Sequence, residues 1–237
     1  MVFFGYNAAG PLTPALSCQR RGQGNAMTEV RTHVSGISGR RLGDFLLFGV
    51  TSVEFALLFF LTPTFSIVDW IYVLQHLLVL GIALTRHPPE VQDHSLPSSA
   101  AVIIAYAYPY AQVVYLRWVP GEPAWPAGGL VLVTLAAFLS IASLLSLGRR
   151  FGVFPALRGL MTRGPYRLVR HPMYLSYMIA DIGYNVQEWN TGTALLVMAG
   201  WTSLLYRVQA EERVLSQDAG WSAYAALVRN RILPGLW

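Results

Sequence analysis

Hydrophobic runs close to the length of a bilayer core, parted only by short polar and proline-rich breaks, constrain this chain more than any other feature. They fall at residues 43–62, 67–85, 99–117, 127–147, 173–187 and 191–208. Most approach the roughly 20 residues that a helix needs to cross a hydrocarbon layer about 30 Å thick. The breaks are Thr62-Pro63-Thr64, Arg86-His87-Pro88-Pro89, Pro120-Gly121-Glu122-Pro123 and Gln187-Glu188-Trp189-Asn190, each rich in residues that interrupt a helix. With 54% of the 237 residues hydrophobic and 12% charged, such closely spaced segments leave no room for a separate soluble domain. The expected fold is all-α: a polytopic membrane helix bundle of about six transmembrane helices, the last two forming a C-terminal helical hairpin. Residues 1–40 read as a disordered or cytoplasmic N-terminal segment and 41–237 as one membrane domain.

Charge reports orientation. The formal net charge is +5 and all 17 basic residues are arginine, scattered along the chain and not gathered into the stripe that nucleic acid would require, so no nucleic-acid partner is expected. The connection from Arg149 to Arg170 holds Arg149, Arg150, Arg158, Arg163, Arg167 and Arg170 without an acidic residue, whereas the connections after 43–62 and after 173–187 hold no arginine. Positive loops stay on the cytoplasmic side, so both termini and the 149–170 loop are expected there, in a bacterial inner membrane. Arg117 alone dissents. The single cysteine, Cys18, excludes an internal disulfide and a multi-cysteine metal site. No stretch in the first 26 residues is long and apolar enough for a signal peptide, and Met27 is the expected natural start.

The polar groups concentrate at one place. Arg163-Gly164-Pro165-Tyr166-Arg167-Leu168-Val169-Arg170-His171-Pro172-Met173-Tyr174 opens the fifth apolar run. Pro172 suits a first helical turn, where its missing N–H costs nothing. Helical spacing then sets His171, Tyr174, Met178, Asp181 and Asn185 near one face, and a polar seam in lipid needs a partner or a pocket. The other arm of the hairpin supplies Arg207, Gln209, Glu211 and Glu212 at its end. Two adjacent carboxylates suit a cationic ligand, and Tyr166 or Tyr174 offers a surface on which a base stacks. Arg207 and Glu211, four apart, also suit a surface ion pair.

Taken in order, Gly164-Pro165-Tyr166-Arg167, Arg170-His171-Pro172-Met173-Tyr174, Glu211-Glu212, Tyr224, Val228, Arg231 and Pro234 resemble the isoprenylcysteine carboxyl methyltransferase family and its phospholipid methyltransferase relatives. The resemblance covers residues 144–237. It implies an integral membrane methyltransferase that uses S-adenosylmethionine, yields S-adenosylhomocysteine, and holds the cofactor through Tyr166, His171, Pro172, Tyr174, Glu211 and Glu212. Ser176 stands where many members have glycine, and is expected either to narrow the pocket or to contact the cofactor directly.

Methyl transfer is an in-line displacement that requires alignment and exclusion of water, and no metal is called for. A carboxylate acceptor, as in prenylcysteine, is already nucleophilic, and Arg231 and Arg229 are the candidates to clamp it. An amine or thiol acceptor would bring in His171 or a glutamate as base. The expected partners are the bilayer and a lipophilic or small methyl acceptor, with a monomer as the default. Two other readings stay open. Some membrane sterol reductases share an arginine-histidine-proline-tyrosine segment and use NADPH, although Met173 and Ser176-Tyr177 do not match them. A small transporter or scaffold would use Glu54, His76 and Asp181, the ionisable residues inside the apolar runs, and would leave Glu211-Glu212 without a role.

Overall fold

The structure is a computed structural model that describes residues 67–233 without a break, with Gly49, Ser52, Val53, Ala56, Phe60 and Gly235 in addition. Most of the expected helix at 43–62, the N-terminal segment 1–40 with Cys18 and Met27, and also Glu54 and Pro234, lie outside the described residues. What is described is mostly helical: α1 Ile67–Thr85, α2 Leu96–Trp118, α3 Pro126–Leu147, α4 Pro172–Gln187, α5 Thr191–Leu215 and a short α6 Trp221–Leu227. Leu96–Trp118, and Pro126–Arg150 when the following turn is counted, are long and apolar enough to cross a membrane; Trp70–Thr85 is a shorter apolar helix.

Local chemistry fixes the ends. Ser95 caps α2 by accepting from Ser98 N at 3.4 Å, with Pro97 in the first turn, and Asn190 caps α5 through Gly192 N at 2.8 Å; both side chains satisfy N–H groups that the helix leaves free. Pro126 and Pro172 open α3 and α4 where a proline is tolerated. Gly148, at φ +51°, ends α3, a conformation that residues with a Cβ rarely adopt. One finding extends the sequence reading: α5 continues to Leu215, so Glu211 and Glu212 lie inside the helix, on one of its faces, and not beyond its end.

Two short antiparallel pairings sort the connections. Val91 and Gln92 pair with Leu157 and Ala156, joining the α1–α2 and α3–α4 connections at one end of the helices. Glu122 and Pro123 pair with Trp189 and Glu188, joining the α2–α3 and α4–α5 connections at the other. The arginine-rich segment 149–170 and the ends of α4 and α5 that carry the expected site therefore share the first end.

Packing runs differently from a simple hairpin. α4 packs most extensively on α3, and α5 on α2, with fewer contacts between α4 and α5. Glycine explains the first pairing. A Cβ on Gly183 would lie 2.8 Å from Val133 Cγ2 and 3.0 Å from Gly129 O, and a Cβ on Gly129 would run into Gly183 O, so the two backbones touch where neither carries a side chain. On the other pair, Gly200 faces the ring of Tyr108 and Gly192 that of Tyr115. Outer faces stay apolar, with Leu135, Phe138 and Leu145 of α3 all more than half exposed.

Replacing Gly183 by leucine should force α3 and α4 apart and destabilise the protein by roughly 1–3 kcal/mol, the usual cost of overpacking. Gly81→Ala, where an added Cβ meets nothing within 4 Å, should leave the midpoint of thermal unfolding in detergent unchanged or slightly raised.

Candidate active site

The segment before α4 is folded back on the C-terminal strand of chain. Arg170 N donates to Asn230 O at 2.9 Å and His171 N to Arg231 O at 2.8 Å, and the Tyr224 hydroxyl donates to Tyr166 O at 2.9 Å. These bonds hold the turn Gly164–Arg167 and the start of α4 against residues 224–231. Gly164, at φ +58°, begins that turn.

Glu212 is the point where three segments converge. Its Oε1 lies 2.9 Å from Arg170 Nε and 3.2 Å from His171 Nε2, and its Oε2 accepts from Arg231 Nε at 2.9 Å. A carboxylate only accepts, so the imidazole donates from Nε2. Burial pushes the Glu212 carboxyl upward, but the His171 hydrogen bond and the charges of His171, Arg170 and Arg231 outweigh it and hold the group below the ordinary carboxylate range. Glu211, one residue earlier, looks a different way. It accepts a hydrogen bond from the Tyr174 hydroxyl, its Oε2 is 3.7 Å from His171 Nδ1 and its Oε1 is 3.9 Å from Arg207 Nη2.

Arg207 is 5% exposed. Its guanidinium lies over the rings of Tyr174 at 5.2 Å and Tyr106 at 5.7 Å, and Nη2 donates to Val153 O at 2.9 Å. Its Nε is buried with no hydrogen-bond partner, a costly state for a charged donor.

These groups border one pocket, whose empty space including its open mouth is about 930 Å³. Its lining includes Tyr166, His171, Tyr174, Glu211, Trp221 and Tyr224, together with Arg150, Phe151, Phe154 and Arg158 from the 149–170 loop; Arg207 and Arg170 also line it. Arg170 sits over the Trp221 ring at 5.6 Å. Burial pushes the phenols of Tyr166 and Tyr224 upward, that of Tyr224 to about 12, with the charge of Glu211 adding to the effect at Tyr166, so both remain hydrogen-bond donors at neutral pH.

Of the residues expected at the site, Tyr166, His171, Tyr174 and Glu211 come together on the pocket wall. Pro172 is buried as the first residue of α4, and Glu212 stands behind His171; neither borders the pocket. Arg231 faces Glu212, and Arg229 is exposed and outside the lining. Ser176 is buried and gives its hydroxyl to Met173 O at 2.6 Å, away from the pocket. Sequence reasoning treated Arg150 and Arg158 as loop charges, and only the pairing of Val91–Gln92 with Ala156–Leu157 folds that loop over the site. Of the residues that a transporter would use, His76 bonds Tyr72 O at 2.6 Å and Asp181 bonds Tyr108 and Trp201, so the two do not form one pathway. Among the described residues no group of three or more potential ligands is gathered for a metal.

Residues 125–218 match the family described as Phospholipid methyltransferase. The chain is 30% identical over 98 residues to Protein-S-isoprenylcysteine O-methyltransferase A of Arabidopsis thaliana, an alignment that takes in 39% of this chain and 50% of that protein. It is 23% identical over 180 residues to Protein-S-isoprenylcysteine O-methyltransferase B of the same plant, over 72% of this chain and 85% of that protein. The chain thus spans half the length of one curated relative and most of the other. The matched family and both relatives are methyltransferases by name, and this chain is similar to them over the stretches given.

Because Glu212 has a lowered pKa in the folded state, its stabilisation is fully present above the ordinary glutamate value and is lost as pH falls toward the folded value. Thermal midpoints measured from pH 7 to pH 3 should therefore decline at the acid end in the wild type. Glu212→Gln should lose that part of the decline and start roughly 3–5 kcal/mol less stable at pH 7, as expected for one member of a buried ion pair removed.

Proposed function

We propose that the chain is an integral membrane methyltransferase that uses S-adenosylmethionine to methylate a lipophilic or small acceptor, with a carboxylate such as that of prenylcysteine favoured. The observation that carries this reading is the meeting of His171 and Tyr174 at the start of α4 with Glu211 from α5 on the lining of a pocket that Arg207 also borders.

The residues present fit such a cofactor. It carries a sulfonium, an ammonium, a carboxylate and an adenine, and the pocket offers a carboxylate in Glu211, a cation in Arg207, and aromatic faces in Tyr166, Trp221 and Tyr224. When bound, S-adenosylmethionine supplies an electrophilic methyl group to an attacking nucleophile. The chain's part is to hold, orient and dry the reactants. Glu211 attracts the cationic end of the cofactor. His171, fixed by Glu212, presents its other ring nitrogen toward Glu211 and sets that carboxylate's position. Phe151 and Phe154 limit water on the loop side.

For the acceptor, Arg231 faces Glu212 and Arg229 stands outside the pocket, so the clamp expected of them passes in our reading to Arg207, with Arg150 and Arg158 from the loop. An acceptor already ionised needs no general base, in keeping with an imidazole held between two carboxylates. The membrane part of the reading is a six-helix bundle that includes residues 43–62, with both termini and the pocket on the cytoplasmic side. The two long apolar helices, the exposed apolar faces of α3 and the arginine-rich loop at the pocket's end of the molecule support it. A sterol-type reductase would place an anionic cofactor beside the Glu211 carboxylate, and a transporter would leave that carboxylate without a role.

Protein purified in detergent should be stabilised by S-adenosylhomocysteine and by S-adenosylmethionine, by about 2.7 kcal/mol at a hundred times the dissociation constant, and not by NADPH. His171→Ala and Glu211→Ala should each abolish the shift. Stabilisation by NADPH alone would turn the reading to a reductase, and unchanged S-adenosylhomocysteine binding in both variants would remove this pocket from the cofactor site.

A further inference from the structure

The connection between α1 and α2, residues 86–95, takes no part in the chemistry proposed above, and none of its residues, all of them described, lines the pocket. It is bound along its length to the loop that does. His87 N donates to Arg149 O, Glu90 N to Leu157 O and Asp93 N to Pro155 O, each at 2.9 Å. Arg158 Nε donates to His87 O at 3.1 Å, and the His94 ring lies 5.1 Å from that of Phe154. Of the loop residues held in this way, Phe154 and Arg158 border the pocket, and Arg150 and Phe151, which also border it, directly follow Arg149. Arg158 is 8% exposed, and a Cβ on Gly152 would run into its guanidinium, so the fold of the loop itself leaves that group its place.

These bonds tie two irregular segments to each other. The paired strands are two residues each, too short to be rigid alone. Arg207 steadies the loop from α5 at Val153 O. Asp93 steadies it from α2. Its Oδ1 accepts from Ser95 N at 2.8 Å and its Oδ2 from the Ser98 hydroxyl. Ser98 is fully buried in the first turn of α2, and Ser95 is the cap of that helix. The carboxylate thus joins the connection to a helix, while the N–H of the same residue joins it to the loop. Burial pushes the Asp93 carboxyl upward, but the hydrogen bonds from Ser98 and Ser95 and the charge of Arg213 outweigh it and hold the group below the ordinary carboxylate range. Both oxygens therefore stay acceptors at neutral pH.

We propose that Asp93 is a positioning residue for the methyl acceptor: by anchoring residues 90–95 to α2 it holds the 149–158 loop, and with it Arg150 and Arg158, where an ionised acceptor binds. This inference rests on the reading of the pocket given above. An acceptor carboxylate is fully charged when it binds and loses that charge as the bond to the methyl group forms. Misplacing the arginines therefore weakens acceptor binding and spares the chemical step. The groups assigned to the cofactor, His171, Tyr174 and Glu211, come from the start of α4 and from α5, so cofactor affinity is spared as well.

The test uses the full chain in detergent, as wild type and as Asp93→Ala, Asp93→Asn and Glu90→Pro. With an N-acetylated S-prenylcysteine as acceptor, Asp93→Ala should raise the acceptor KM by about tenfold, well within the effect of a displaced positioning group. Both kcat and the dissociation constant of S-adenosylhomocysteine should stay within about twofold. Amide hydrogen exchange over residues 149–158 should speed up in the same variant. Asp93→Asn, whose carbonyl still accepts from Ser95 N and whose amide donates to Ser98 Oγ, should restore both properties. Glu90→Pro removes the donor to Leu157 O and leaves the α2 cap in place; it should reproduce the Asp93→Ala result, which keeps the claim open to test if Asp93→Ala folds poorly. A loss of S-adenosylhomocysteine affinity in step with the rise in KM would mark a general loss of structure and overturn the proposal. Wild-type exchange over residues 149–158 in both variants would overturn it too. A wild type that binds S-adenosylhomocysteine but methylates no prenylcysteine would remove the carboxylate acceptor from the earlier reading, while the exchange rates would still decide whether Asp93 holds the loop.

Discussion

The site depends on one carboxylate. Glu212 is held by Arg170 and His171 from the start of α4 and by Arg231 from the C-terminal segment, all within 3.2 Å. Those contacts join α4, α5 and the end of the chain at one point. With three positive or donating partners around it the group remains ionised, and burial strengthens the attraction that it feels. The geometry of the pocket wall follows from it. An imidazole fixed through one nitrogen presents the other to Glu211, and Glu211, with Tyr174 and Arg207, forms the polar floor.

The two adjacent glutamates therefore have different tasks. Successive residues on a helix point about 100° apart, so a single pair delivers one carboxylate to the interior scaffold and the other to the pocket. Arg207, four residues before Glu211, closes the arrangement from the same helix. Its guanidinium is sandwiched by tyrosines and bonded to Val153 O, which keeps a strong cation at the pocket without handing all of its donors to the protein. A pocket floor that carries a cation and a carboxylate side by side is suited to a ligand that carries both signs.

Much of this was legible in the sequence. The apolar runs at 67–85, 127–147 and 173–187 correspond closely to Ile67–Thr85, Pro126–Leu147 and Pro172–Gln187, because proline, glycine and polar clusters punctuate them. The segment from Arg163 to Tyr174 and the pair Glu211-Glu212 stood out because polar groups are rare in so apolar a chain. The rest required three dimensions. Helical periodicity cannot tell which helix a face meets, so the packing of α4 on α3 through Gly129 and Gly183 was not readable, nor was the continuation of α5 past the apolar run to Leu215. Arg231 and Arg207 differ in role only because one reaches Glu212 and the other the pocket, and sequence spacing carries no sign of that. The two-residue pairing that folds Arg150 and Arg158 over the site is too short for any pattern to announce.

The central claim is that the beginning of α4 and the last turns of α5 jointly surround a methyl donor. Ultraviolet cross-linking of S-adenosylmethionine labelled in its methyl group, followed by peptide mapping, addresses it directly. The account predicts label on peptides from residues 163–177 and 207–224, removed by excess S-adenosylhomocysteine. Label confined to other parts of the chain, or label that S-adenosylhomocysteine does not displace, would contradict it.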